Sequence, residues 1–412
     1  MNDVVVVGAG AAGLATAIFA RQLDPHRSVL LMDGAAKPGA KILVSGGSRC
    51  NVTNAIVTER DYRGGKRTIV RRVLRALPVV KTVDFFQGLG VTLKEEPNGK
   101  LFPTTDRARD VLDALLRGAA ASGVTLSAGT RVHDVQSTRN GFLLQTSLGP
   151  MSAASVVLAT GGLSLPKTGS DGGGLTIARR LGHTIVPTTP ALVPLVLSNQ
   201  WFHAGLSGVA HDLELTLWVD GRTVERIRGS MLWTHFGVSG PAALDASRVV
   251  LRAQLAQRPV MVTANFFPPA TFESVGARWA AASRSRPQTR IHSALAEELP
   301  ASVASALLTH ASIDGALTLT DLSRHQRRAL THALTALVLP VTDSRGYNYA
   351  EATAGGVSLD EVDAGTMASR FVKGLFLVGE MLDVDGRIGG FNFQWAWSSG
   401  RAAAEGLARR PA

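Results

Sequence analysis

Residues 3–23, DVVVVGAGAAGLATAIFARQL, run from an unbroken apolar stretch through three glycines into a helix rich in Ala and Leu, and SVLLMD at 28–33 is a second apolar stretch. Continuous rather than alternating apolar runs mark strands of a parallel sheet covered on both faces. Strand, glycine turn, helix and second strand therefore read as a βαβ unit. Gly8-Ala9-Gly10-Ala11-Ala12-Gly13 fills the turn as G-x-G-x-x-G. The first glycine permits the tight turn, the second admits a pyrophosphate to the backbone, and the third lets the helix pack on the sheet. The helix start then offers N–H groups and a positive dipole end to the phosphates. Asp33-Gly34 ends the second strand twenty residues after Gly13, a distance at which a carboxylate meets a ribose hydroxyl. Alone, the unit announces a dinucleotide, either NAD or FAD.

Working outward, residues 39–54, GAKILVSGGSRCNVTN, form a dense polar and Gly-rich stretch that is costly to bury unless a ligand satisfies it. Ser45, Gly46 and Gly47 offer backbone amides, Arg49 a partner for phosphate, and Asn51 and Asn54 both donors and acceptors. ATGG at 159–162, with Thr160 and Gly161, closes a buried strand with small residues where backbone passes near a cofactor. At 377–400, LVGEMLDVDGRIGGFNFQWAWSSG places Gly379-Glu380 at a strand end, suited to a ribityl hydroxyl. Gly389-Gly390 precede a last helix whose free N–H groups and positive end would stabilise charge on a reduced flavin. These distant segments reach beyond a pyrophosphate and select FAD.

At 412 residues, with 45% hydrophobic and 18% charged residues, the chain is expected to form two or three domains. Helical periodicity is read at 67–77, 81–89 and 106–122, short strands at 124–127, 130–136 and 142–147, and a buried strand at 155–159. VPTTPALVPL, from Val186, reads as a proline-punctuated crossing. Beyond it, 212–219 and 223–228 alternate about Asp220-Gly221 as a hairpin, and 259–267 reads as another strand. Leu and Ala recur at three- and four-residue steps over 271–336. Strand texture returns at 374–379, and a last helix is read at 393–408. The expected fold class is α/β: a discontinuous Rossmann-like FAD-binding domain (1–190 and 341–412), an inserted β-barrel-like domain (191–270) and a small helical domain (271–340).

The formal net charge is +11, spread along the chain with short clusters such as Arg71-Arg72, Arg284 to Arg290 and Arg327-Arg328. Without runs of five or six, this reads as a solvated basic surface rather than a nucleic-acid tail. Residues 4–20 are uncharged, but no basic segment precedes them, so they are not read as a signal peptide. No other stretch approaches a membrane helix. A single cysteine, Cys50, fits a cytoplasmic protein without disulfides.

With these segments in hand, the chain resembles the aminoacetone-oxidase-like FAD-binding flavoproteins, whose relatives include bile-acid dienone reductases. KILVSGGSRCNVTN, GGLSLPKTGSDGGG, LWTHFGVSGPAALDAS, EATAGGVSLDEVDAGTMASRFVKGLFLVGEMLDVDG and GGFNFQWAWSSG carry the resemblance. It implies non-covalent FAD held by residues matching Gly8, Gly10, Gly13, Asp33, Lys41, Arg49, Cys50, Val132, Thr160, Glu380, Gly390, Phe391 and Asn392. Relatives often show an aromatic-Thr pair and Gly-Gly-Tyr where this chain has Arg387-Ile388-Gly389-Gly390-Phe391, so substrate identity does not transfer.

The flavin would carry the chemistry. His235 is a candidate acid or base, or a structural histidine. Arg387 can bind an anionic substrate or face solvent. Cys50 is read as packing against the cofactor rather than as a redox partner, because no second cysteine exists. No metal motif is present. The expected activity is an FAD-dependent oxidoreductase on a small organic molecule, either an NAD(P)H-linked reductase of a conjugated carbonyl or an amine oxidase. No second nucleotide-binding unit is visible, so NAD(P)H would be a transient donor. An RNA-associated flavoprotein and a partner-binding module without turnover are the alternatives. Oligomeric state is left open.

Overall fold

In the computed structural model, which describes residues 2–409, the glycine turn joins β1 (Asn2–Val7) to α1 (Ala11–Leu23), and the chain returns through β2 (Val29–Asp33). Helices α2 (Ala40–Ser48), α3 (Arg67–Leu74), α4 (Val79–Gly88) and α5 (Ala108–Ala121) precede β3 (Thr125–Ala128). A meander of β4 (Val132–Thr138), β5 (Gly141–Thr146) and β6 (Gly149–Leu158) then leads to α6 (Gly173–Arg180). The strands stand in the order β3-β2-β1-β6-β5-β4. Val4 lies opposite Val29, and Val6 opposite Val157, both in parallel pairing. The first half of β6 pairs instead antiparallel with β5, Ala153 facing Phe142. The apolar run at 155–159 is thus the buried end of a longer strand that changes partner along its length.

The chain divides into two compact units, 1–190 with 347–412, and 191–346. The second contains β7 (Leu195–Leu197), β8 (Ala210–Val219), β9 (Arg222–Thr234), β10 (Gly237–Ser239), α7 (Gly240–Leu255) and β11 (Val260–Asn265). Helices α8 (Phe272–Ser285), α9 (Ile291–Ala296), α10 (Ala301–His310) and α11 (Arg324–Ala336) follow, then β12 (Leu337–Leu339) and β13 (Val341–Ser344). Asp220 and Gly221 turn the β8–β9 hairpin with φ of 50° and 72°, the left-handed pair a two-residue turn requires.

This antiparallel sheet runs β12-β11-β8-β9-β10-β7-β13. Its two end strands are neighbours in the chain, separated only by Pro340. The sheet curls until its edges meet at a residue with no N–H to donate, which is barrel-like without a closed ladder. Val275, Ile291, Leu307 and Leu330 from α8–α11 join Leu215 and Trp233 of the sheet in one apolar cluster. Residues 271–340 therefore share the core of the sheet, because each short helix has only one apolar stripe to bury.

On returning, the chain forms β14 (Ala352–Val357), β15 (Leu375–Leu377) and α12 (Phe391–Ala408). β15 pairs parallel with β6, Phe376 opposite Val157, so the chain's late residues complete the parallel sheet its first residues began. The reading of 186–195 as a crossing is corrected: Ile185–Ala191 is a strand paired with β14 in a two-stranded sheet. Such a sheet has only edges, where prolines are tolerated. α12 packs along α1, where Gly400 lets the helices close; a Cβ there would lie 3.0 Å from the Ala12 carbonyl oxygen. Among the described residues, no helix is long and apolar enough to cross a membrane.

Candidate active site and cofactor cradle

The three glycines of the turn answer to different neighbours. A Cβ on Gly13 would lie 1.8 Å from the Gly8 carbonyl oxygen, and one on Gly8 2.5 Å from that of Ala159. Both are demanded by the protein's own packing. A Cβ on Gly10 would meet nothing within 4 Å. No protein atom requires a glycine there, and the space before it is open for a ligand to come close to the backbone. Ala11, Ala12 and Gly13 form the first turn of α1, whose amides have no intrahelical acceptor.

Asp33 closes β2 and accepts from Ala9 N at 2.7 Å and Ala35 N at 2.8 Å. These bonds fix its carboxylate beside the turn, with lone pairs left for a sugar hydroxyl. Thr130 N donates to the Asp33 carbonyl at 2.8 Å, and Gly34 lies against Arg131. That brings Val132, at the start of β4, to the same end. Thr160 follows β6 beside Gly8, with Gly161 next in the chain, and its buried hydroxyl has no partner.

The polar stretch at 39–54 is not a plain loop. Its first half is helical, but the last residues of α2 kink: Gly46, Gly47 and Ser48, and then Cys50, all take positive φ, between 55° and 67°. Left-handed non-glycine residues cost energy and cluster where a site over-determines the backbone. Ser45 caps the turn by donating to Ile42 O at 2.7 Å and accepting, through its carbonyl, from Cys50 N. Asn51 Oδ1 is buried without a partner and lies 2.9 Å from where a Gly390 Cβ would be. Arg49 is engaged elsewhere, bonded to Glu96 Oε1 at 2.8 Å and stacked over Phe102 at 4.0 Å.

Burial pushes the Cys50 thiol up to about 12, so it is a neutral packing group. Native protein at pH 8 is expected to resist alkylation by iodoacetamide and to react once unfolded. The raised folded value has a sign: above about pH 9 the unfolded chain loses the proton first. Stability should then fall by up to about 1.4 kcal/mol per pH unit from this group. Rapid alkylation of the folded protein would refute the assignment.

Four elements meet at Glu380. Lys41 of α2 is bonded to Glu380 and to Ser164. Ser164 Oγ donates to Glu380 Oε1 at 2.6 Å, and Thr353 N of β14 donates to the same oxygen at 2.9 Å. Thr353 Oγ1 in turn accepts from the amides of Leu163 and Ser164. Ser164 and Thr353 are not among the residues singled out from sequence; the only signal was their place inside GGLS and EATAGGV, beside glycines. Gly379, just before Glu380, packs against Ala12, which links this cluster to the first turn of α1.

At the far end, Gly389 and Gly390 lead into α12. A Gly390 Cβ would strike the Thr53 carbonyl oxygen at 2.5 Å. Phe391 is fully buried and its carbonyl accepts from Tyr62 Oη at 2.9 Å. The Asn392 side chain closes on Gly386, accepting from its N–H at 2.8 Å and donating to its carbonyl at 3.0 Å. The Asn392 backbone amide lies in the first turn of α12, where N–H groups lack an intrahelical acceptor. Arg387 bonds to Asp61 Oδ1 at 2.8 Å and covers the Phe391 ring at 4.2 Å. His235 belongs to the other unit, exposed in the turn between β9 and β10 and edge-on to Phe236.

An open face at Gly10, two orphaned buried oxygens at Thr160 and Asn51, and two helix starts form one cradle within one unit. Its donors extend from the β1–α1 turn past Glu380 to α12, which suits a long dinucleotide with a polar ring at its far end. The family model described as the HI0933-like protein Rossmann domain matches residues 2–406. The chain belongs to this family. It is an FAD-binding Rossmann flavoprotein of the oxidoreductase class. It is similar to the 3-dehydro-bile acid delta(4,6)-reductase of Clostridium scindens, 31% identical over 411 residues that cover 100% of both chains. It is also similar to the ribosomal RNA dihydrouridine synthase of Escherichia coli, 33% identical over 98% of each.

Among solved structures, E. coli quinol fumarate reductase FrdA superposes with a TM-score of 0.53 at 16% identity, over 99% of this chain and 70% of that one. The 3-ketosteroid-delta4-(5alpha)-dehydrogenase of Rhodococcus jostii RHA1 gives 0.50 at 16% identity, over 99% and 97%. At such identities these two describe the shared fold.

Proposed function

We propose that this member of the family reduces a carbon–carbon double bond conjugated to a carbonyl, with NAD(P)H as the transient reductant of its flavin. The start of α12 carries the reading. Its first-turn amides and positive dipole end, set behind Gly389-Gly390 and beside the unpartnered Asn51 Oδ1, favour the negative charge of a reduced flavin ring. FAD bound there supplies the hydride. Lys41 and Glu380 are proposed to hold its ribityl chain, and Asp33 its ribose. Cys50, Phe391 and Trp395, all buried, exclude water behind the ring. Arg387 is proposed to orient the substrate carbonyl.

The names of the two full-length relatives support the bond type. A delta(4,6)-reductase acts on a dienone, and dihydrouridine differs from uridine by two hydrogens across a ring double bond next to a carbonyl. The favoured substrate is a small free enone. A second reading, a uracil ring carried by RNA, is favoured by the E. coli relative and by the formal charge of +11.

Anaerobic mixing decides. NADH or NADPH is expected to bleach the oxidised flavin, and a steroidal 4-en-3-one or a uridine-containing RNA to restore its colour. If aminoacetone bleaches the flavin while both nicotinamides fail, the reductase reading gives way to an amine oxidase. If only oxygen restores the colour, it fails outright.

A further inference from the structure

We infer that the exposed basic face of α3 is a contact surface for the phosphate backbone of a single-stranded RNA whose base enters at the α12 end of the cradle. The inference rests on the uracil reading above. α3 buries Val70 and Val73 and turns Arg67, Arg71 and Arg75 outward at four-residue steps, with Lys66 and Arg72 beside them. Residues four apart lie on one helix face, so these cations form a stripe. From Glu59 to Arg75 the chain carries seven Lys or Arg against two carboxylates, an excess of five out of the formal +11. The sequence spaces these cations with no run of five, and the helix turns Arg67, Arg71 and Arg75 to one side.

Three of the nearby counter-charges are already paired. Asp61 pairs with Arg387, Glu59 with Arg71, and Asp360 with Lys66. Among the described residues Arg67, Arg72 and Arg75 form no ion pair. The stripe is also tied to the cradle. Tyr62–Gly64 pairs antiparallel with Val384–Gly386, Gly65 N donates to the Asp383 carbonyl at 2.8 Å, and Tyr62 Oη reaches the Phe391 carbonyl. Those bonded residues lead directly into Gly389-Gly390 and α12. A base at that end would therefore carry its phosphates toward a surface with unneutralised guanidinium groups, which suit phosphate geometry.

RNA is favoured over an anionic bilayer because none of the large exposed apolar side chains belongs to α3. A membrane-surface helix would offer its apolar face to lipid, whereas α3 buries that face in the protein.

The test uses the FAD-loaded protein and a fluorescent single-stranded RNA containing uridine, with anisotropy read across a salt series. Wild-type binding should weaken steeply with salt. R67Q/R72Q/R75Q should flatten the log–log slope by about 2, at roughly 0.7 per phosphate contact, and weaken binding about a hundredfold at 0.1 M salt. Its flavin content and reduction by NAD(P)H should be unchanged. R324Q/R327Q/R328Q removes three charges from α11 and should leave the slope nearly intact. If the α11 variant loses as much as the α3 variant, net charge alone is at work and the surface is refuted. Absence of RNA binding at low salt overturns it too, as does equal binding by R67Q/R72Q/R75Q. Salt-sensitive capture by phosphatidylglycerol vesicles, without RNA binding, would replace RNA with a membrane. Because the readout is binding, RNA that binds through α3 but is never reduced would sink the uracil reading alone. RNA turnover with unchanged binding in the α3 variant would sink the surface alone.

Discussion

Gly13→Ala should abolish the folded, flavin-loaded protein, while Gly10→Ala should fold and lose flavin. The added methyl carbon at Gly13 would sit 1.8 Å from a backbone carbonyl oxygen of Gly8. No side-chain rotation relieves that overlap. The turn must open, and Gly8 cannot yield because it is itself pressed against Ala159. Overpacking against movable side chains costs about 1–3 kcal/mol; a rigid turn at the centre of the parallel sheet should cost more. That is a large share of the ~5–15 kcal/mol that holds a typical domain folded. The same methyl at Gly10 enters open space, at an ordinary backbone angle of φ −83°. Thermal melting and flavin content separate the two outcomes. A Gly13→Ala protein that melts within two or three degrees of wild type would contradict the geometry. A fully flavin-loaded Gly10→Ala protein would contradict the pyrophosphate assignment.

The second large effect is expected at Lys41. Lys41→Met removes the cation bonded to Glu380 and leaves a carboxylate whose side chain is 18% exposed facing Ser164 and the Thr353 amide. Breaking a fully buried pair costs about 3–5 kcal/mol; both partners here retain some exposure, so roughly 1–3 kcal/mol is expected. Glu380→Gln alone should also destabilise, since it removes the carboxylate bonded to the ammonium. The double variant should recover part of the loss, giving a coupling above about 0.5 kcal/mol. Flavin retention should fall in all three if Lys41 and Glu380 hold the ribityl chain. Strict additivity of the two single changes would show that the pair contributes nothing as a pair.

Much of this architecture is legible wherever a local rule suffices. Four buried valines announce β1, and the spacing from Gly13 puts Asp33 where its carboxylate meets the Ala9 amide. Asp220-Gly221 announces its hairpin because few residue pairs accept two left-handed angles. What escapes the sequence depends on partners far away in the chain. Ile185–Ala191 is a strand because β14 lies beside it, and its prolines hide that. Arg49, expected at a phosphate, also meets Glu96 and Asp106 through one guanidinium nitrogen, partners that its local sequence does not announce. The bond between the Asn392 side chain and both backbone groups of Gly386 likewise exists only in the folded chain. Ser164 and Thr353 carry no periodicity and meet Glu380 only in the folded chain. Helices α8–α11 suggest a bundle of their own, yet their single apolar stripes find the nearest uncovered sheet.

The division of the parallel sheet between early and late residues bears on how the protein is made. During synthesis β1, α1 and β2 emerge first, but β15 and α12, which complete the sheet and cover α1, emerge last. Domains tend to fold as units in order of appearance, and residues 191–346 contain every strand of their own sheet. The inserted unit can therefore fold on the ribosome while the nucleotide domain waits, with the apolar flank of α1 uncovered. A nascent chain stalled before residue 375 would carry a finished insert on an unfinished flavin domain, a ready client for chaperones.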